Sequence, residues 1–142
     1  MKILVINGPN INMLGIREPD IYGKNTFADL LKLLEETAQE ECIQIDQYQS
    51  NHEGCLVDKI QEAYGVYDGI VINPAAYTHT SVAILDALKT VAIPAVEVHI
   101  SDVAAREDFR QISYAGMACC KTINGHGLEG YREAVKHLKT IL

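Results

Sequence analysis

Lys2-Ile-Leu-Val-Ile-Asn7, running into Gly8-Pro9-Asn10, is the stretch on which the fold turns. An apolar run this short, closed by turn residues, reads as a strand covered on both faces. Gly69-Ile-Val-Ile-Asn73, stopped by Pro74, repeats the pattern. Strands buried on both faces belong to parallel sheets, whose neighbours need crossover helices. The sequence between and beyond the two runs supplies those helices. Thr26-Phe-Ala-Asp29 reads as a capping box, after which Phe27, Leu30, Leu31, Leu34 and Ala38 recur at helical spacing. Ile43 to Gln49 is a more polar strand, expected at a sheet edge. Leu56, Val57, Ile60, Ala63 and Tyr64 mark a second helix ending near Gly65, and His79 to Thr90 a third, with Val82, Leu85 and Leu88 inward. Pro94 to His99 is a fourth strand, Ala104 to Arg110 a short helix, and Cys119 to Asn124 a fifth strand. Gly127 to Leu142 is a last amphipathic helix packing through Leu128, Tyr131, Val135 and Leu138.

This alternation predicts an α/β protein: an open parallel five-stranded sheet with helices on both faces. The flavodoxin-like order 2-1-3-4-5 suits that strand count. A length of 142 residues predicts a single domain over 1–142. Twelve basic against nineteen acidic residues give a net charge of −7, with no Lys/Arg run, so no nucleic acid is expected as a partner. No segment approaches the ~20 apolar residues that span a bilayer, and Ile3 to Ile6 is too short for a secretory core, so no membrane partner and a cytoplasmic location are expected. Cys42, Cys55, Cys119 and Cys120 lack framework spacing and are expected to be reduced, mostly buried thiols.

In such sheets ligands bind beyond the carboxyl ends of the strands, where the strand order reverses between strands 1 and 3. The loops at those ends carry Asn10, Asn12, Asn73, His79, Glu97, His99 and Ser101, which predicts one crevice there. Gly8 to Asn25 is long for such a connection and carries Arg17, Glu18, Asp20 and Tyr22-Gly23, as expected of a lid. Glu97 and His99 sit two apart at a strand end and share a face. A carboxylate beside a histidine orients the ring and favours its protonated form. Thr78-His79-Thr80-Ser81 opens the next helix, whereas His52, His126 and His137 read as structural or surface residues. No HxxH or HExxH spacing is present, so no metal is expected. Gly125-x-Gly127-x-x-Gly130 lies in the last βα unit, too late for a dinucleotide fingerprint, and reads as tight packing. A flavin module would want a Ser/Thr-rich loop where Asn7-Gly-Pro-Asn10 stands. A receiver domain would want acids where Asn7 and Asn73 stand.

Taken together, the motifs closely resemble the type II 3-dehydroquinate dehydratase family. They are Asn7-Gly-Pro-Asn10, Leu14-Gly-x-Arg17-Glu-Pro-x-x-Tyr22-Gly23, Gln49-Ser-Asn-His-Glu-Gly54, Tyr77-Thr-His79-Thr-Ser81, Glu97-Val-His99-Ile-Ser101, Arg106-Glu-x-Phe-Arg110 and Gly125-x-Gly127-x-x-Gly130-Tyr131. The resemblance implies a shikimate-pathway enzyme converting 3-dehydroquinate to 3-dehydroshikimate by anti elimination through an enolate, without metal, cofactor or Schiff base. It implies Tyr22 as base, His99 as acid and Arg17 as the essential lid arginine. It further implies Asn73, His79, Asp86, Ile100, Ser101 and Arg110 as substrate-binding positions. It also implies a homo-oligomer, a dodecamer built from trimers, in which Asp86 reaches a neighbouring subunit's site. Two departures stand out: Ala75-Ala76, where a glycine is common, and Ile112, where a histidine is common.

Physical chemistry agrees with those roles. A free phenol with pKa ≈ 10 needs ~4 kcal/mol of preferential stabilisation to ionise near neutrality. One adjacent cation such as Arg17 supplies ~1–3 units of that shift. The enolate oxygen needs donors, for which Asn10, directly or through a water, is the candidate. The main-chain N–H groups of Ile100 and Ser101 suit the substrate carboxylate.

Overall fold

The computed structural model describes every residue except Arg17 and Gly23, and of Pro19 and Tyr22 the main chain alone. Five parallel strands, β1 (Lys2–Asn7), β2 (Gln44–Gln49), β3 (Gly69–Asn73), β4 (Ala95–His99) and β5 (Lys121–Asn124), lie in the order β2-β1-β3-β4-β5. This is the flavodoxin-like order expected. Every residue of β3 and β4 is buried, and all but the first of β1, because helices cover both faces. Edge strand β2 is only part-buried, matching its polar sequence.

A short helical turn, α1 (Pro19–Tyr22), precedes the four longer helices α2 (Phe27–Glu41), α3 (Glu53–Glu62), α4 (Val82–Val91) and α5 (Glu129–Ile141). Helices α2 and α5 pack on one face through Leu30, Leu34, Tyr131 and Leu138, against Val5, Val71 and Val98. Helices α3 and α4 cover the other through Leu56, Ile60, Ile84 and Leu88, against Leu4, Ile6, Ile70 and Ile72. Among the described residues no helix is long and apolar enough to cross a membrane.

Several expected details are corrected. The buried stripe of α2 is Leu30, Leu33, Leu34 and Thr37, which turns Leu31 and Ala38 to a part-exposed flank. Tyr64 lies beyond α3 and is 71% exposed, and Val82, expected inward, is 49% exposed. Helix α4 starts after Ser81, whose hydroxyl accepts from the Ile84 N–H, so His79 belongs to a preceding 3-10 turn, Ala75–His79. In place of a helix over 104–110 stand two 3-10 turns, Val103–Ala105 and Asp108–Arg110. β5 begins at Lys121, leaving Cys119 half-buried and Cys120 exposed. Cys42 and Cys55 are exposed too, so the cysteines are free thiols but not core residues. Cys42 closes α2 in the left-handed conformation, and Cys55 lies on the outer face of α3.

Candidate active site

Parallel register brings the carboxyl ends of β1, β3 and β4 to one edge, with Asn7 opposite Asn73. The loops that follow touch: a Cβ on Gly8 would lie 2.4 Å from the Pro74 carbonyl oxygen, so glycine is required there. Beneath them the buried Tyr131 hydroxyl donates to Asn7 Oδ1 (2.6 Å) and accepts from Asn73 Nδ2 (2.9 Å). Burial pushes the Tyr131 phenol up, which keeps it a neutral bridge. Asn73 Oδ1 accepts from the Ala75 N–H at 3.1 Å, fixing the amide from both ends.

A crevice opens above this floor. It is lined by Ile11, Asn73, Ala75, His79, His99, Ile100, Ser101, Arg106 and Arg110. His99 Nε2 donates to Glu97 Oε1 at 2.7 Å, because a carboxylate oxygen only accepts. That leaves Nδ1 as the ring nitrogen available to a ligand. Glu97 is completely buried behind the ring. It also accepts from the hydroxyls of Thr78, Ser113 (2.6 Å) and Thr122 (3.0 Å). Burial alone would raise this carboxyl, but the bonds from His99, Ser113 and Thr78 outweigh it and hold it at about 2. His79 is fixed differently. Its Nδ1 contacts the Ile112 carbonyl at 2.7 Å, so Nδ1 carries the proton and Nε2 is the free acceptor of the neutral ring. Position 112 contributes its main chain to that bond, which makes its side-chain identity unimportant to it.

Six expected site residues therefore meet in one place: Asn73, His79, His99, Ile100, Ser101 and Arg110. Glu97 joins them through His99. Asn10 stands beside the crevice, exposed, in the left-handed conformation, its N–H donating to Asn51 Oδ1 at 3.0 Å. Asp86 is not at this crevice; it lies on the exposed face of α4. Arg17 lies outside the described residues, as does the Tyr22 side chain. The helix expected to follow Ser101 is only a three-residue turn, so the Ile100 and Ser101 N–H groups have no helix dipole behind them. Arg106 was missed as a lining residue. Its signal was a second cation four positions before Arg110 in the same motif. Among the described residues no three His, Cys, Asp or Glu side chains cluster as a metal site.

A family model, dehydroquinase class II, matches residues 1–139. The chain belongs to the class II dehydroquinase family. A 3-dehydroquinate dehydratase of Endomicrobium trichonymphae is 50% identical to this family member over 141 residues, 99% of each chain. A catabolic 3-dehydroquinase 1 of Aspergillus terreus is 54% identical over 137 residues, 96% of this chain and 90% of that one. The crystal structure of the type II dehydroquinase from Butyrivibrio crossotus matches with a TM-score of 0.96 and 54% identity, covering 98% of this chain and 97% of that one. Such likeness makes the crevice of this class II dehydroquinase the place to look for its chemistry.

Proposed function

We propose that the chain, a hydro-lyase acting as a single catalytic domain, removes water from 3-dehydroquinate to give 3-dehydroshikimate within the shikimate pathway. The observation that carries the reading is the buried Glu97 carboxylate bonded to His99 at the wall of a crevice also lined by Asn73, His79, Arg106 and Arg110, in a member of this family. Tyr22, as phenolate stabilised by Arg17, takes the proton α to the ketone, and the electron pair of that C–H bond passes into an enolate. Asn10 donates to the enolate oxygen. The enolate then collapses, the C–O bond breaks, and His99 gives the leaving hydroxyl its proton, so that water departs. One proton has reached the phenol and one has left the imidazole, and the two exchange through solvent before the next turnover. Ile100 and Ser101 hold the substrate carboxylate, with Arg110 supplying positive charge; Asn73 and His79 hold its hydroxyls. Asp86, away from its own crevice, acts in a neighbouring subunit's site of a homo-oligomer, a dodecamer of trimers.

Incubation with 3-dehydroquinate tests the reading by the ultraviolet absorbance of the conjugated enone. Turnover is expected to be insensitive to chelator. Borohydride is expected to trap no adduct, because no lysine lines the crevice among the described residues and a Schiff base needs an amine. A substrate-dependent covalent adduct would overturn the mechanism.

A further inference from the structure

Glu97 is more elaborately held than the orientation of a histidine requires. Three hydroxyls from three separate segments converge on it: Thr78 from the turn after β3, Ser113 from the loop after Arg110, and Thr122 from edge strand β5. Thr78 and Ser113 also lie 2.9 Å apart. Each has one hydroxyl proton, and both protons go to Glu97 Oε1, which as a carboxylate has none to give. Ser113 Oγ accepts in turn from the Gly116 N–H at 2.9 Å. A Cβ on Gly116 would lie 2.5 Å from Glu97 Oε2, so the chain closes directly against the carboxylate. The neighbouring thiol of Cys119 is pushed up to about 12 by burial and then by the Glu97 charge, which keeps it neutral beside the anion.

We propose that Ser113 and Thr122 are positioning residues for the acid step, their hydroxyls, with that of Thr78, holding Glu97 as a carboxylate so that the shared proton stays on His99. The inference rests on the assignment of His99 as the acid. A buried carboxylate and imidazolium can be distributed in two ways. As an ion pair the ring carries protons on both nitrogens and is a competent acid at Nδ1. Alternatively the Nε2–H bond breaks and an O–H bond forms on Oε1, leaving a neutral ring protonated at Nδ1 alone, which is a very poor acid. Low polarity favours the neutral pair, since isolated buried charges are costly. Hydrogen bonds to the anion reverse that preference, because they favour the charged carboxylate over the protonated one. They also keep Glu97 ionised once His99 has given its proton away, so that the next proton is drawn to the ring.

The test is the pair Ser113→Ala and Thr122→Val, singly and together, with Thr122→Ser as the conservative control. Each single variant is expected to lower kcat by about 10–100-fold, the loss appropriate to one hydrogen bond to a charged group, with KM unchanged. Thr122→Ser is expected to restore turnover. The discriminating readout is the protonation state itself. Infrared difference spectra of protein labelled at glutamate, taken as a function of pH, are expected to show the protonated Glu97 carboxyl band emerging at a higher pH in the double variant than in the wild type. That band is expected to be absent at every pH from the double variant carrying Glu97→Gln. Ring 15N shifts of His99 are expected to move from imidazolium to neutral. Full turnover in the variants would overturn the inference, as would lost turnover with the Glu97 band emerging at its wild-type pH and His99 still charged. Thr122→Val alone, on an edge strand, carries the same readouts if the double variant does not fold. Normal turnover in His99→Ala would instead overturn the acid assignment, a different failure from an unchanged infrared spectrum.

Discussion

His99 gives one ring nitrogen to Glu97 and keeps the other for the crevice, which makes it the residue with most to lose by truncation. His99→Ala is expected to lower kcat by roughly 10²–10⁴, the usual contribution of a positioned proton donor. Glu97→Gln is expected to act in the same direction more weakly, because an amide can still orient the ring. Steady-state rates on the two variants check the order. Ala75 carries a different burden. Its φ of 54° is left-handed, a region that costs a residue with a Cβ about 1–2 kcal/mol. The bond from its N–H to Asn73 Oδ1 holds it there. Ala75→Gly removes the clash, and the greater freedom of glycine in the unfolded chain returns ~0.4–1 kcal/mol of that gain. A net stabilisation of about 0.5–1 kcal/mol is expected, read from urea midpoints; a destabilised variant would show that the turn is not strained.

At the scale of elements, the strands were legible because burial on both faces leaves a short apolar run that nothing else explains. Helix α5 was legible because one polar face alternates with Leu128, Tyr131, Val135 and Leu138. Helix α4 was harder. Ile84, Leu85, Ala87, Leu88 and Val91 bury most of its circumference, so periodicity does not single out its exposed Val82 edge. The segment 101–118 was illegible as 3-10 turns because long-range bonds shape it. The Tyr114 N–H donates to the Thr78 carbonyl, and Gln111 Nε2 reaches the carbonyls of Val103, Arg106 and Glu107. The same distance hid the hydroxyls around Glu97, since Thr78, Ser113 and Thr122 share no motif. His79, in the turn after β3, and His99, at the end of β4, were found by the carboxyl-end rule together with the Glu97-x-His99 and Thr78-His79-Thr80-Ser81 patterns. The long connection from β1 to α2, which carries the proposed base, bears its own prediction. Tyr22→Phe is expected to abolish turnover nearly completely while substrate binding stays within about tenfold, since only the phenol oxygen is lost. Arg17→Lys is expected to cut kcat severely although it conserves charge, because an ammonium does not reproduce a planar guanidinium. It is also expected to move the acidic limb of the kcat–pH profile upward. An unshifted limb would show that another group ionises Tyr22.

For the whole molecule, the buried carboxylate links the candidate site to acid stability. Glu97 is reached from the turn after β3, from β4 itself, from the 111–116 loop and from β5, so its charge state is shared by much of one side of the sheet. Folding lowers its carboxyl from 4.5 to about 2. Between those values the unfolded chain binds the proton and the folded one does not, so acid favours unfolding there. The contribution is therefore fully present above about 4.5 and is lost as pH falls towards about 2. At 1.36 kcal/mol per unit it amounts to a few kcal/mol, a large share of a typical domain's stability. The surface carboxylates of a chain carrying −7 also titrate in this window, so the wild-type curve by itself does not isolate Glu97. The difference from Glu97→Gln does. The variant, which has no proton to bind at position 97, is expected to be less stable at neutral pH and to approach the wild type as pH falls from 4.5 to 2, with urea midpoints taken at several protein concentrations to separate assembly from folding. Parallel curves, offset equally at every pH, would mean that Glu97 binds its proton equally well in the folded and unfolded chains and that neither His99 nor the surrounding hydroxyls hold its charge.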